Sequence, residues 1–262
     1  MKIQKTIAIA VLLMLVGAGV ANAAGITVDG NAADWQFNYG VGGGYVNTDR
    51  VDVVKSGTTA SGVSYSEEAG VGSLGYLGPG YGGAPFDIKG LYFTSDASNF
   101  YFAAVVGMGP NGTINGGRLY VMGDILIRDA SNNLYGIVTS RTDRAPNPSF
   151  APGTFGAVTA APKNDPGYDS ANPCFVAGFT GGSTATPFFY KNVGTNLWFI
   201  EASVSRALFS APLTGIHLTE SCGNDEGNLT PPYIPVSEPG TLLLLGSGLL
   251  GMAVYGRRQR RG

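Results

Sequence analysis

The stretch that decides the fold runs Ile88-Lys89-Gly90-Leu91-Tyr92-Phe93-Thr94, then Ser95-Asp96-Ala97-Ser98-Asn99, then Phe100-Tyr101-Phe102-Ala103-Ala104-Val105-Val106. Two runs of aromatic and aliphatic residues flank a cluster of Ser, Asp and Asn. Bulky side chains pack well on a pleated surface, whereas Asp, Asn and Ser hydrogen-bond their own backbone in turns. The segment therefore predicts a β-hairpin. Similar short runs recur outward from it. Arg118 to Arg128 reads as one long or bent strand with Gly123 as a bulge position, and Leu134 to Ser140 pairs with it across Asp129–Asn133. Leu197 to Val204 and Gly215 to Ser221 are further strands, and Ser205 to Phe209 is one helical turn. No long segment with helical period lies between the two ends of the chain, so the expected fold is all-β. It is a single antiparallel β-sandwich with long Gly- and Pro-rich loops.

Composition supports this reading and removes other classes. The chain has 262 residues with 41 Gly and only 13% charged residues, too few for a coiled coil. The glycines have no triplet period, which excludes collagen. Acidic residues (18) exceed basic ones (16), and no internal Lys/Arg run could neutralise phosphates, so nucleic acid is not an expected partner. Gly40 to Gly83 holds 13 glycines together with Tyr39, Tyr45, Tyr65, Tyr76 and Tyr81. It reads either as a surface loop with one or two weak strands or as a ligand-facing loop. Thr142 to Pro173 is a second, proline-rich loop.

Both ends read as addresses. Lys2 and Lys5 precede an apolar run from Ile7 to Val16, and Ala21-Asn22-Ala23 places small residues where a signal peptidase needs them. Residues 1–23 are thus a signal peptide, an N-terminal signal helix cut after Ala23. At the other end, Ser237-Glu238-Pro239-Gly240 precedes an apolar stretch from Thr241 to Tyr255 and the cluster Arg257, Arg258, Arg260 and Arg261. Terminal arginines stay cytoplasmic, so residues 24–236 face outward across the inner membrane, which the C-terminal transmembrane helix crosses transiently. That body keeps ten basic and seventeen acidic residues, a net charge of −7.

The C-terminal segment, residues 237–262, resembles the PEP-CTERM sorting signal of Gram-negative bacteria, departing from Pro-Glu-Pro at Ser237 only. The resemblance implies processing by an exosortase-type membrane protease. It further implies a cell-surface or extracellular destination and a role in the extracellular polysaccharide matrix. A second resemblance lies in the body. Ile26-Thr27-Val28-Asp29-Gly30-Asn31 with Asp34-Trp35, and Leu197 to Val204 followed by Ser205-Arg206-Ala207-Leu208-Phe209, are similar to family 9 carbohydrate-binding-module-like (DOMON-like) sandwiches. Gly78–Gly83, Asp87-Ile88 and Cys222-Gly223-Asn224-Asp225 resemble segments of other secreted PEP-CTERM proteins, which commonly carry Glu where Lys89 stands.

Chemistry is sparser. Cys174 and Cys222, the only cysteines, are expected to form a disulfide in the oxidising exported compartment. Glycoside hydrolysis would need two carboxylates across a cleft, with Glu67, Glu68, Glu201 and Asp124 available. Strand alternation, however, puts Trp198, Ile200, Ala202 and Val204 on the core face and Glu201 on an outer or rim face. His217, the sole histidine, reads as an edge or surface residue, and no nucleophile elbow, P-loop or zinc motif occurs. Asp29, Asp34 and Asp124 are the foremost oxygen ligands for a calcium ion, with Asp96, Asp129 and Asn224-Asp225-Glu226 also present. Trp35, Tyr76 and Tyr81 are the aromatic residues available to a sugar ring. Asn111-Gly112-Thr113 and Asn228-Leu229-Thr230 fit a glycosylation sequon and read as turns and coil. The expected function is therefore a non-enzymatic exported protein that binds or associates with extracellular polysaccharide. A self-associating matrix protein is the alternative, and a secreted carbohydrate-active enzyme a remote one.

Overall fold

Fourteen strands order the described residues. The computed structural model describes residues 25–35, 53–59, 62–69, 83–140, 150–158, 174–223, 225–232 and 234. In chain order the strands are β1 (Val53–Thr58), β2 (Ser64–Ala69), β3 (Ile88–Ser95), β4 (Asn99–Val106), β5 (Thr113–Asn115), β6 (Arg118–Tyr120) and β7 (Ile125–Asp129). They continue with β8 (Leu134–Ile137), β9 (Thr154–Val158), β10 (Phe179–Ala185), β11 (Phe188–Gly194), β12 (Leu197–Ser205), β13 (Leu213–Thr219) and β14 (Glu226–Leu229). One six-stranded sheet runs β1-β2-β3-β4-β12-β11, a second runs β10-β9-β8-β7-β13-β14, and β5-β6 is a separate hairpin. Every strand pairing is antiparallel. The fold is all-β, and its helical content among the described residues is three short 3₁₀ turns.

The Ile88–Val106 hairpin forms as its sequence predicts and supplies the centre of the first sheet. Asp96 caps its turn by accepting the Ser98 and Asn99 N–H groups, each at 2.7 Å. Alternation then sends Leu91, Phe93, Phe100, Phe102, Ala104, Ile200, Ala202 and Val204 inward against Ile125, Ile127, Tyr135, Ile137, Ile216 and Leu218 of the second sheet. Aromatic rings fill one end of this layer: Phe209 lies within 5.3 Å of Phe100, Tyr135 and Phe155, ring centre to centre. Burying large rings between two sheets is the dominant stabilising term in such a layer.

Three expectations need correction. The strand expected over Arg118 to Arg128 is broken into β6, a lone bridge from Met122 to Glu220, and β7. Gly123 is squeezed rather than bulged: a Cβ there would sit 2.4 Å from the Thr219 carbonyl oxygen and 2.6 Å from that of Cys174. Within the proline-rich loop a strand forms, β9, because its backbone completes ladders with β8 and β10 on either side. Finally, no disulfide joins Cys174 and Cys222. Both are buried, Cys174 packing with Val121 and Phe175 while Cys222 joins the core between the sheets. The Cys222 thiol instead points at Glu220, donating to Oε2 at 3.6 Å.

The first sheet also has a second buried layer on its outer face. Ile26 and Trp35 of the N-terminal segment cover Tyr92, Tyr101, Ala103, Val105 and Phe199. The expected signal helix, the transmembrane sorting helix and the cleavage residues Ala21 and Ala23 lie outside the described residues, as do Ser237, Glu238, Pro239, Gly240, Arg257, Arg258, Arg260 and Arg261. Among the described residues no helix is long and apolar enough to cross a membrane.

Candidate functional site

Glu201 sits on the outer face of β12, as alternation requires, yet it is fully buried. The N-terminal segment folds over it. The Trp35 indole N–H donates to Oε1 at 2.7 Å, and the Gly30 and Asp29 backbone N–H groups donate to Oε2 at 2.9 and 3.0 Å. Gly30 has φ +77 and packs against Lys191 and Phe189, so the tight turn that aims both N–H groups suits glycine. Burial pushes the Glu201 carboxyl above its ordinary range, and the three N–H donors only partly offset this. Glu201 and Trp35 thus form a structural lock. Trp35 has no exposed surface and offers no platform to a sugar ring.

The other sequence-derived residues scatter. Asp29 and Asp34 share one turn, bridged by Asn31: its N–H donates to Asp29 Oδ1 at 2.8 Å and its Nδ2 to Asp34 Oδ1 at 3.1 Å. Asp124 stands just before β7 of the second sheet, where it accepts the Thr139 and Val176 N–H groups at 3.0 and 2.8 Å. Burial pushes the Asp124 carboxyl up to about 7. Among the described residues no three His, Cys, Asp or Glu side chains are placed to hold a metal ion. Glu67 accepts a hydrogen bond from the Tyr92 hydroxyl at 3.0 Å, and Tyr76 and Tyr81 lie outside the described residues. Asp87-Ile88 and Asp225, from two segments far apart in sequence, do meet: Asp225 Oδ2 accepts the Ile88 N–H at 2.6 Å.

Two hollows flank β14. The first, about 540 Å³, lies on the outer face of the second sheet over Leu126, Arg128, His217, Glu226 and Asn228. The second, about 420 Å³, is a cleft between β14 and the β1–β2 hairpin. They adjoin, because Asn228, Leu229 and Thr230 line both. Both volumes fall in the range usual for ligand sites. In the first hollow His217 and Asn228 are cross-strand partners, with Nδ1 and Oδ1 2.8 Å apart. The His217 Nε2 atom is buried and has no hydrogen-bond partner. In the cleft, Ser56, Thr58, Ser64 and Ser66 share the inward face of the β1–β2 hairpin, since Ser56 pairs with Ser66, Thr58 with Ser64, and Ser66 with core residue Leu91. Ser64 is 4% exposed and its hydroxyl also has no partner.

The sequence does not single out these hydroxyls, because they lie in the Gly-rich stretch that reads as a surface loop with one or two weak strands or as a ligand-facing loop. The available signal was the alternation Ser56-x-Thr58 and Ser64-x-Ser66 about a short turn, with polar groups where a core strand would place apolar ones. Asn228 and Thr230, read as coil, line both hollows instead.

Fold and composition together define a β-sandwich-like protein with an acidic body and two adjoining hollows beside β14. Comparison with protein families then adds its destination: residues 235–261 match the PEP-CTERM protein-sorting motif. The chain therefore carries the C-terminal sorting signal of an exported protein, and the motif implies exosortase as its processing partner. No curated protein and no solved structure matches the chain.

Proposed function

We propose that the exported body, released by cleavage at the C-terminal signal, associates with extracellular polysaccharide as a non-enzymatic surface or matrix protein. The adjoining hollows around β14 carry this reading. Their lining is rich in Ser, Thr and Asn, whose side chains match the paired donor and acceptor character of sugar hydroxyls. Glu226 is the single carboxylate among the lining residues of the two hollows, whereas glycoside hydrolysis uses two. The sorting motif supports delivery of the body to the compartment where such polymers accumulate.

The test has two stages. Replacing Glu238 and Pro239 by alanine should leave a larger, membrane-retained form; an unchanged mature mass would refute processing there. The released wild-type body should then be retained, saturably, on the exopolysaccharide of the cells that make it, with and without chelator. A folded body that passes through unretained would favour a self-associating matrix protein. Loss of retention with chelator would add a cation such as calcium to the mechanism.

A further inference from the structure

We infer that the two hollows form one continuous track over the β14 edge, and that it takes an uncharged polyhydroxylated chain rather than an anionic one. This rests on the polysaccharide reading above and specifies its ligand. The continuity comes from Asn228, Leu229 and Thr230, which line both hollows, so a chain lying on the outer face of the second sheet can pass over β14 into the cleft.

The preference for an uncharged chain follows from the lining. The cleft is built from Ser56, Thr58, Ser64, Ser66, Asn228 and Thr230 with Gly, Leu, Tyr and Pro, and among the described residues it bears no charged side chain. In the outer hollow Arg128 is offset by Glu226, and the Arg128 guanidinium already donates to Asn132 Oδ1 at 2.6 Å. A carboxylate or sulfate would meet one arginine among the lining residues, already bonded to Asn132 and balanced in charge by Glu226, and would approach a body of net charge −7. Two orphaned atoms point the same way. Ser64 Oγ and His217 Nε2 are buried without a partner, one at each hollow. Unsatisfied buried polar atoms are rare in folded proteins and demand an occupant or water. With Nδ1 donating to Asn228 Oδ1, the His217 Nε2 is an acceptor. The Ser64 hydroxyl both donates and accepts. A ligand bearing only hydroxyls satisfies both.

The experiment is affinity electrophoresis of the folded, released body in native gels containing dextran, laminarin or hydroxyethyl cellulose, and in parallel gels containing alginate or polygalacturonate. Wild type, Ser64→Ala and Asn228→Ala are compared, with urea unfolding run on each. The expected result is retardation by at least one neutral polymer, weakened about tenfold by each substitution, as loss of about one good hydrogen bond requires. Ser64→Ala should keep or raise the unfolding midpoint, because it removes an orphaned hydroxyl, so its binding loss cannot come from unfolding. Retardation by the anionic polymers only would overturn the inference and leave the polysaccharide reading standing. Retardation by a neutral polymer that neither substitution alters would overturn the site. Retardation by no polymer, together with no retention on native exopolysaccharide, would remove both.

Discussion

At the scale of single residues, the buried carboxyls set how the fold responds to pH. Burial raises Asp124 to about 7 despite the opposing Val176 and Thr139 N–H bonds. It also raises Glu220 well above its ordinary range, despite the Cys222 thiol, with Asp87 adding to the rise. Glu201 is raised for the same primary reason. For each, the folded state holds its proton more tightly than the unfolded chain does. The stabilisation is complete below the ordinary carboxylate range and is lost as pH rises through the folded value. Asp96 and Asp129 act oppositely. Burial pushes both up, but hydrogen bonds from Tyr101, Asn99 and Ser98 to Asp96, and from Asn133, Ser210 and Tyr135 to Asp129, leave both lowered. Their contribution falls away only in acid, below about pH 4. Between about pH 4 and pH 7 the raised group governs alone. The urea midpoint of the body should therefore fall across that window, Asp124 accounting for up to about 4 kcal/mol. Asp124→Asn should start less stable, since its amide cannot accept both backbone N–H groups, and should show a flatter pH profile. A wild-type midpoint that stays level or climbs across the window would refute neutral burial of these acids.

At the scale of elements, the strands legible in the sequence are those that pack two-sidedly. β3, β4 and β12 occupy the middle of the first sheet with one face in the inter-sheet core and the other under the N-terminal segment. Their near-continuous apolar runs follow from that. β10 is an edge strand, largely exposed and rich in Thr and Gly, so alternation says little about it, whereas the edge strand β11 turns Phe188 and Tyr190 toward the core. The strand state of β10 comes from pairing with β9 rather than from propensity. The β1–β2 hairpin is legible only as one or two weak strands within the Gly-rich stretch, because its inward face carries hydroxyls instead of apolar groups. The face of Glu201 was readable from alternation, but not its burial, because the cover arrives from a segment far away in sequence. That segment makes a prediction. A body starting after Trp35 should lose several kcal/mol, since it uncovers Tyr92, Tyr101, Val105 and Phe199 and strands the Glu201 carboxylate. Urea unfolding and binding of a hydrophobic dye would report it. Unchanged unfolding would mean that the N-terminal segment is an accessory rather than part of the core.

At the scale of the whole molecule, the folded body and its sorting signal are close neighbours along the chain. Ile234 packs against the core between the sheets, and the motif residues Ser237-Glu238-Pro239 begin three positions later. Three residues span at most about 10 Å even when fully extended. A membrane protease that cuts at this motif must therefore work almost against the surface of the folded body, unless Ile234 first leaves its place. The two cases separate experimentally. Inserting a short Gly-Ser linker between Ile234 and Pro235 leaves the matched signal intact, and relief of crowding should then speed conversion of the membrane-retained precursor to the released form by about tenfold, as a barrier decrease of about 1.4 kcal/mol would. The flexible spacer adds reach without new contacts. Pulse-labelling followed by fractionation of membrane and medium measures both chains. Equal conversion of the wild-type and linker chains would show that cleavage precedes docking of Ile234. The body would then complete its fold only after release, when the core can close over that side chain without a membrane-bound tail attached.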